Sequence, residues 1–327
     1  MLFALTVVLT HIGPVSGMWG DLGRTDNNVG TLAVEGFFVL SGFLVTRSAM
    51  SSRSLESFMV RRISRIFPGF WVALLLTAFV FAPLVGHPDM YSQSWYVRNN
   101  WWLAIYQDGV QGTLEHVPYL YNWNVSLWTL KWEFGCYAFV GLLLAFKCLR
   151  ASFVVLLTVF AWVWLNGTPH FDDRPGRFFI LFMLGSALWV LRDRVPIRRG
   201  VVITLALLAS ATYATVGFRE VGLIAYGALV VAIATAPVLT RIGHRVDLSY
   251  GVYLYGWPVG QVLTSASVSS PVIFVAAELA GCLTLALASW YLIEAPAQRW
   301  SHHVSRRRSR DLSSSLSSHD LTPDVAS

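Results

Sequence analysis

The chain has 327 residues, of which 55% are hydrophobic and only 13% charged, whereas roughly a quarter of an average soluble domain is charged. Such a chain cannot cover itself with polar surface, which excludes a large soluble domain. The net charge of +6 does not indicate a nucleic-acid partner, because the basic residues fall between apolar stretches long enough to span a bilayer. The composition predicts an all-α, polytopic membrane helical bundle.

We predict ten transmembrane helices with both termini in the cytoplasm. Their approximate bounds are 1–18, 29–46, 69–86, 124–146, 151–166, 178–191, 200–217, 221–240, 248–266 and 271–293. In this topology eighteen of the 24 basic residues lie in the inner loops and the tail, five lie in the outer loops, and Lys131 lies inside a helix. This imbalance follows the positive-inside rule and supports the ten-helix topology.

Residues 1–300 are predicted to form a single transmembrane domain, followed by a tail at 301–327. The tail is rich in Arg and Ser and cannot bury enough apolar area to fold, so we predict that it is disordered and cytoplasmic. The first helix is short and has no basic leader, which predicts that roughly ten or more residues precede Met1. The three cysteines lack the spacing of a metal site or of a disulfide framework.

The ionisable residues of the predicted helices are candidate functional groups, because a charge inside the bilayer costs several kcal/mol unless a partner compensates it. They are His11, Glu35, Lys131, Glu133, Glu278 and Glu294. His11 either acts as a base near pH 7 or hydrogen-bonds a neighbouring helix. Glu133 and Lys131 point to different faces of a helix, which favours a functional role for Glu133. Glu294 is interpreted as the structural partner of a basic loop residue.

Three arginines follow the second predicted helix in the sequence RRISR, namely Arg61, Arg62 and Arg65. Arginine binds phosphate through bidentate charge-assisted hydrogen bonds, but the positive-inside rule alone also places arginines here. Before them, Ser41 and Gly42 form a small-residue patch that predicts a close approach of two helices. The aromatic side chains of the long outer loop at 87–123 either form an interfacial belt or stack on sugar rings.

Four stretches carry a family resemblance that extends over nearly the whole chain. The first is FFVLSGFLV with the block RRISRIFPGFW, and the second is VSLWTLKWEFGCYAF at 125–139. The third and fourth are DLSYGVYLYGWPV at 247–259 and SWYLIEAPAQRW at 289–300. In order and spacing they resemble the acyltransferase family 3 membrane proteins. Two positions depart from that family's pattern: the basic residue eleven positions before His11 would precede Met1, and Gly256 stands where some relatives carry His.

The resemblance implies a membrane O-acyltransferase that moves an acyl group, most often acetyl, from acyl-CoA to a hydroxyl of a cell-surface polysaccharide, a glycolipid or a sugar-bearing small molecule. It implies no permanently bound cofactor, no metal and a location in the bacterial inner membrane. His11 is then the base or the acyl carrier, and Glu35 or Glu133 orients it or holds the acceptor. The residues implied to bind acyl-CoA are Ser41, Arg61, Arg62 and Arg65. Those implied to bind the acceptor or to support the structure are Trp128, Tyr137, Tyr250, Tyr253 and Glu294.

Two other functions fit the sequence. A proton-coupled transporter also keeps His and Glu inside its helices, but transporters often consist of two repeated halves and no internal repeat is found. A sugar-binding membrane module that has lost its active site fits a chain in which the basic residue before His11 is absent. Binding or hydrolysis of acetyl-CoA by the purified protein favours the enzyme, whereas substrate flux without acyl-CoA favours the transporter.

Overall fold

The described part of the chain is a helical bundle, in agreement with the predicted fold class. The computed structural model describes residues 1–20, 23–24, 27–52, 54–103, 109–167, 173–194, 199–215, 221–235 and 246–305. The helices are α1 (Leu2–Ser16), α2 (Val29–Met50), α3 (Leu55–Leu76), α4 (Ala82–Val85), α5 (Met90–Asn100), α6 (Leu130–Ala145), α7 (Ala151–Gly167), α8 (Asp173–Leu191), α9 (Arg199–Thr215), α10 (Val221–Ala234), α11 (Ser249–Ser265) and α12 (Pro271–Ser289). A two-residue antiparallel pair, β1 (Gly23–Arg24) with β2 (Asn27–Asn28), precedes α2.

Single turns of other helical types interrupt or extend three of these helices. A π turn at Thr77–Phe81 joins α3 to α4, and a 3-10 turn at Val125–Thr129 leads into α6. A second π turn at Trp290–Glu294 follows α12, after which the helix continues to Ser305. Residues 301–305, which the sequence assigned to the tail, are therefore helical. The remainder of that predicted tail, 306–327, lies outside the described residues.

Within the described ranges, four continuous helices are long and apolar enough to cross a membrane. They are Val29–Met50, Leu55–Val85, Arg174–Leu191 and Pro271–Ser305. Shorter apolar helices occur at Leu2–Ser16, Ala151–Trp164, Gly200–Thr212 and Gly222–Ala234. The helix that begins at Leu55 starts fourteen residues before the predicted span at 69–86, because Ser54 caps it by accepting a hydrogen bond from the Ser57 backbone N–H. The RRISR arginines thus lie within a helix and not in a loop, as the sequence had been interpreted. The count of ten spans stays a prediction.

Helix α2 packs against α1, α6, α8 and α10, while α11 packs against α1 and α12. The contact between α2 and α8 is made through glycines. A Cβ atom on Gly42 would lie 1.9 Å from the Phe182 carbonyl oxygen, and one on Gly185 would lie 2.0 Å from the Val39 carbonyl oxygen. The close approach that Ser41 and Gly42 predicted is confirmed, because the two backbones meet where no side chain separates them.

We expect Gly42→Ala to destabilise the bundle by about 1–3 kcal/mol or more, because its methyl group meets a backbone carbonyl that no rotamer change can move. Thermal unfolding of the purified protein in detergent measures the loss. The matched control is Gly135→Ala in α6, where an added Cβ has open space within 4 Å and alanine favours the helix. Equal unfolding temperatures for the two variants would contradict the close approach of α2 and α8.

Candidate active site

A cavity of about 380 Å³ opens where the end of α2, the start of α3 and the end of the helix that begins with α12 come together. It is lined by Leu44, Arg47, Ser48, Ser51, Arg61, Arg62, Arg65, Gln298, Ser301 and His302. We call it the arginine cavity. Among the described residues, carboxylates lie within ion-pair distance of Arg65 but not of the other three arginines. The cavity therefore keeps a net positive charge, which suits an anionic ligand.

Hydroxyl groups and aromatic rings hold Arg61 and Arg62 in place. The Nη1 group of Arg61 donates a 2.8 Å hydrogen bond to Ser57 Oγ. The guanidinium of Arg62 lies 5.7 Å from the centre of the Tyr137 ring, and its Nη2 donates to Ser48 Oγ at 3.4 Å. The buried Nε of Arg62 has no hydrogen-bond partner among the described residues. These contacts fix the direction of the side chains without neutralising them, so both charges remain available to a phosphate.

Arg65 differs, because two carboxylates balance its charge. Its Nη2 lies 2.6 Å from Asp247 Oδ2, and its Nη1 lies 3.8 Å from Oε2 of the buried Glu294. Ser289 donates a 2.9 Å hydrogen bond to the other oxygen of Glu294. Arg65 thus links α3 to the start of α11 and to the π turn after α12. The structure separates it from Arg61 and Arg62, with which the sequence grouped it as a donor ligand, and supplies the basic partner predicted for Glu294.

Asp247 lies outside the helices, and its pKa gives this ion pair a pH dependence. Burial raises the pKa of its carboxyl, but the Arg65 guanidinium and hydrogen bonds from Ser249 outweigh burial and hold the pKa below its ordinary value. A lower pKa in the folded state stabilises the fold above the ordinary value of about 4, and this stabilisation is lost as pH falls through the folded pKa. We expect the unfolding temperature of the wild type to fall more steeply below about pH 4 than that of Asp247→Asn. Parallel curves would contradict the ion pair.

A polar cluster of Ser41, Glu133 and Tyr137 lies deeper in the bundle, beside Arg62. The Oγ of Ser41 is 3.3 Å from both Glu133 Oε1 and the Tyr137 hydroxyl, and Tyr137 donates to the same Glu133 oxygen. Ser41 was predicted to bind acyl-CoA, but it does not line the arginine cavity, which begins on α2 at Leu44. The cluster adjoins the arginine cavity through Arg62, which lines the cavity and packs over the Tyr137 ring.

The other aromatic residues that the resemblance singled out make contacts that hold elements together. The Tyr250 hydroxyl donates a 2.7 Å hydrogen bond to the backbone carbonyl of Ile66 in α3. The Tyr253 hydroxyl donates to the backbone carbonyl of Ser126 at 2.6 Å. Trp128 packs against the aromatic ring of a residue in α8. Of the two roles predicted for Tyr250, Tyr253 and Trp128, these contacts favour support of the structure over binding of the acceptor.

His11 lies in α1 with its ring centre 4.9 Å from that of Trp257 in α11, edge to face. The Trp257 Nε1–H donates a 3.1 Å hydrogen bond to the Asn122 carbonyl oxygen, and the centre of the Tyr119 ring lies 4.9 Å from that of the Trp257 ring. The loop at 109–124 therefore packs over this part of α11. Trp257 was not among the predicted site residues, although its place seven residues after Tyr250 puts both on nearly the same face of a helix.

Neither of the carboxylates predicted to orient His11 hydrogen-bonds to it among the described residues. Glu35 is 1% exposed, and its Oε1 lies 2.7 Å from Arg177 Nη2 of α8. Glu133 is held by Tyr137 and Ser41, as described above. The pairing of His11 with either acid is therefore absent from this conformation, and the catalytic roles of Glu35 and Glu133 stay predictions. The aromatic contact with Trp257 orients the imidazole instead.

Helix α11 connects the arginine cavity with His11 and so sets the distance between them. The Tyr250 ring faces the Arg65 guanidinium at 5.7 Å, whereas Trp257 contacts His11. These two positions on α11 are seven residues apart, which is about 10 Å of helical rise. Gly256 belongs to the contact with α1, since a Cβ there would lie 2.4 Å from a Val8 methyl carbon. This tight packing is the physical reason that a histidine side chain does not fit at that position.

Seven residues that line the arginine cavity were not among the predicted site residues. They are Leu44, Arg47, Ser48, Ser51, Gln298, Ser301 and His302. A periodic signal exists for some of them: Arg47 and Ser51 are four residues apart, as are Gln298 and His302, a spacing that puts each pair on one face of a helix. The signal becomes visible only when both helices are extended beyond their apolar stretches.

Comparisons with known proteins place this chain among acyltransferases. The family model described as an acyltransferase domain matches residues 1–294. The chain is similar to an "O-acetyl transferase" of Shigella phage Sf6, with 27% identity over 308 residues, which cover 89% of this chain and 92% of that protein. It is also similar to "Nodulation protein 10" of Rhizobium leguminosarum bv. viciae, with 27% identity over 334 residues, which cover 91% of this chain and 89% of that protein. No solved structure matches it.

Proposed function

Because the chain belongs to acyltransferase family 3, whose domain model matches residues 1–294, we propose that it transfers an acyl group, most often acetyl, from acyl-CoA to a sugar-type hydroxyl. The acceptor is a cell-surface polysaccharide, a glycolipid or a sugar-bearing small molecule. The name of the phage relative supports an O-acetyl product. The proposal includes ten transmembrane helices, cytoplasmic termini and a place in the bacterial inner membrane. The family favours this enzyme over a transporter.

The arginine cavity is the observation that carries the choice of donor. It holds Arg47, Arg61 and Arg62 without carboxylate partners among the described residues. It is also separated from His11 by more than about 10 Å along α11. Acyl-CoA has its phosphates and its thioester at opposite ends of a long flexible arm. A donor whose phosphates lie in the cavity therefore brings its thioester toward His11 only by way of such an arm.

The reaction follows from this placement. Arg61 and Arg62 bind the donor phosphates, and the arm passes the cluster of Ser41, Glu133 and Tyr137. The His11 imidazole takes the proton of the acceptor hydroxyl as its oxygen bonds to the thioester carbonyl carbon. The carbon–sulfur bond then breaks, and the thiolate of CoA takes up the proton from His11. The Tyr119 ring, which is 39% exposed and packs against the Trp257 ring, offers aromatic surface to a sugar near His11.

The direction of transfer follows from the same geometry. The arginine cavity lies at the end of the bundle that the positive-inside rule assigns to the cytoplasm, where acyl-CoA is made. The loop at 109–124, which packs over Trp257, belongs to the loop predicted on the outer side. In this proposal the acyl group crosses most of the membrane within the protein, and the acceptor approaches His11 from outside.

Two measurements test the proposal. The purified protein is incubated with radiolabelled acetyl-CoA, and we expect label to appear in an added glycan acceptor or in acetate. Mass spectrometry of surface glycans and secreted glycosides, from cells with and without the gene, then identifies the acetylated acceptor. Movement of an unmodified substrate across vesicles with no consumption of acetyl-CoA would contradict the proposal and favour the transporter.

A further inference from the structure

The helix that continues past α12 forms one wall of the arginine cavity. Its residues 295–305, which we call the C-terminal extension, place Gln298, Ser301 and His302 on the cavity lining, opposite the arginines of α2 and α3. These three residues lie beyond residues 1–294, the part of the chain that the family model matches. The site that binds the donor in our proposal is thus completed by a segment outside the family's matched domain.

The π turn at Trp290–Glu294 sets the direction of the extension. A π turn holds one more residue than an α turn, so it rotates the helix after it by about 100° relative to an uninterrupted α-helix. Glu294, at the end of this turn, is 1% exposed and is held by Ser289 and Arg65. The start of the extension is therefore anchored in the bundle, and residues 298, 301 and 302 share the face that meets the cavity.

The donor groups on the two walls of the cavity match one kind of ligand. The Nε2 amide of Gln298 is buried and has no hydrogen-bond partner among the described residues, and the same is true of Arg62 Nε. A buried N–H group without an acceptor costs free energy, which a ligand rich in acceptor oxygens recovers. Ser301 is different, because its hydroxyl already donates to the Gln298 backbone carbonyl at 2.7 Å. Gln298, whose amide nitrogen has no partner among the described residues, therefore suits an anion, and His302 lines the cavity four residues later on the same helix face.

We infer that Gln298 and His302 bind the phosphate groups of the acyl donor, so that the C-terminal extension completes the donor site. This inference rests on the proposed function, which supplies acyl-CoA as the donor. The Gln298 amide donates to a phosphate oxygen, and the imidazole of His302 donates its N–H to another. Arg61 and Arg62 supply the charge from the facing wall. The extension therefore selects donors that carry phosphates over acyl thioesters that lack them.

The experiment measures binding of coenzyme A to the purified full chain in detergent by calorimetry. The variants are Gln298→Glu, which repels phosphate at nearly the same size, and His302→Ala. The matched controls are His303→Glu and His303→Ala, which make the same changes at the exposed neighbouring position on the same helix. Pantetheine, which has the arm without the phosphates, and inorganic phosphate serve as comparison ligands. Thermal unfolding confirms that each variant is folded.

We expect each cavity variant to weaken coenzyme A binding by roughly 10-fold to 100-fold, the loss typical of a hydrogen bond to a charged group. Both His303 controls should bind coenzyme A like the wild type, and pantetheine should bind weakly and equally to all. If the wild type binds coenzyme A and the Gln298 and His302 variants bind it equally well, this inference is wrong while the proposed function stands. If the wild type does not bind coenzyme A, the proposed donor is wrong. Equal weakening by the His303→Glu control assigns the effect to general electrostatics and overturns the inference.

Discussion

Replacing His11 with Ala is expected to reduce acyl transfer by about 100-fold to 10,000-fold, the usual contribution of a positioned general base. The imidazole contacts Trp257 in the interior of the bundle, and the carboxylates of Glu35 and Glu133 are occupied by other partners. Among the described residues of this region, none of these acids is placed to take over proton transfer. The loss should fall on kcat, whereas the KM for acyl-CoA should change little, because the arginine cavity is far from His11.

His11→Gln separates loss of chemistry from loss of packing, because it keeps a side chain of similar length against Trp257 but cannot act as a base near neutral pH. We expect it to be as inactive as His11→Ala and to unfold at a temperature close to that of the wild type. His87→Ala, at an exposed histidine, should keep full activity. Undiminished transfer by His11→Gln would remove His11 from the catalytic role and leave it a packing residue of α1.

Arg62→Gln is expected to weaken donor binding, whereas Arg65→Gln is expected to lower the stability of the fold. Arg62 has no carboxylate partner among the described residues, so its loss should raise the KM for acyl-CoA by roughly 10-fold to 100-fold and leave stability nearly unchanged. Arg65 lies between Asp247 and the buried Glu294. Its loss leaves a buried carboxylate without its cation, which should lower the free energy of unfolding by about 3 kcal/mol.

Steady-state kinetics with varied acetyl-CoA and unfolding in detergent give both quantities for each variant. Arg47→Gln is a useful third variant, because Arg47 lines the same cavity from α2 and should also raise the KM. An unchanged KM in Arg62→Gln would show that this arginine reflects membrane topology alone. A raised KM with unchanged stability in Arg65→Gln would return Arg65 to the donor site and contradict its role as a link between helices.

The sequence predicted the structure well where a residue is costly to bury without a partner, as Glu294 is, or lacks a side chain at a helix contact, as Gly42 does. The apolar composition predicted helices, and the structure has them. Gly42 predicted a close helix contact, which α8 provides. Glu294 predicted a basic partner, which is Arg65. The resemblance carried by VSLWTLKWEFGCYAF and its companion stretches agrees with the acyltransferase domain that matches residues 1–294.

The partners of the charged groups were harder to predict, because they come from segments far apart in sequence. Glu35 pairs with Arg177, about 140 residues later, and Arg65 pairs with Asp247, about 180 residues later. A charged residue has several possible ion-pair partners in one sequence. Only the way in which the chain packs brings one of them into contact. For the same reason the sequence could not identify an acid beside His11. Both candidates, Glu35 and Glu133, contact other residues in the structure.

The sequence by itself determined that this chain is a helical membrane protein of the acyltransferase family, because composition and local motifs do not depend on how the helices pack. Only the tertiary structure decided which cations remain available to a donor. Arg61, Arg62 and Arg65 are equivalent in the sequence RRISR, but two carboxylates from distant parts of the chain neutralise the third. The π turn before the C-terminal extension likewise rotates the helix that follows it. A single extra residue in a helical turn decides whether Gln298 and His302 face the cavity or point away from it.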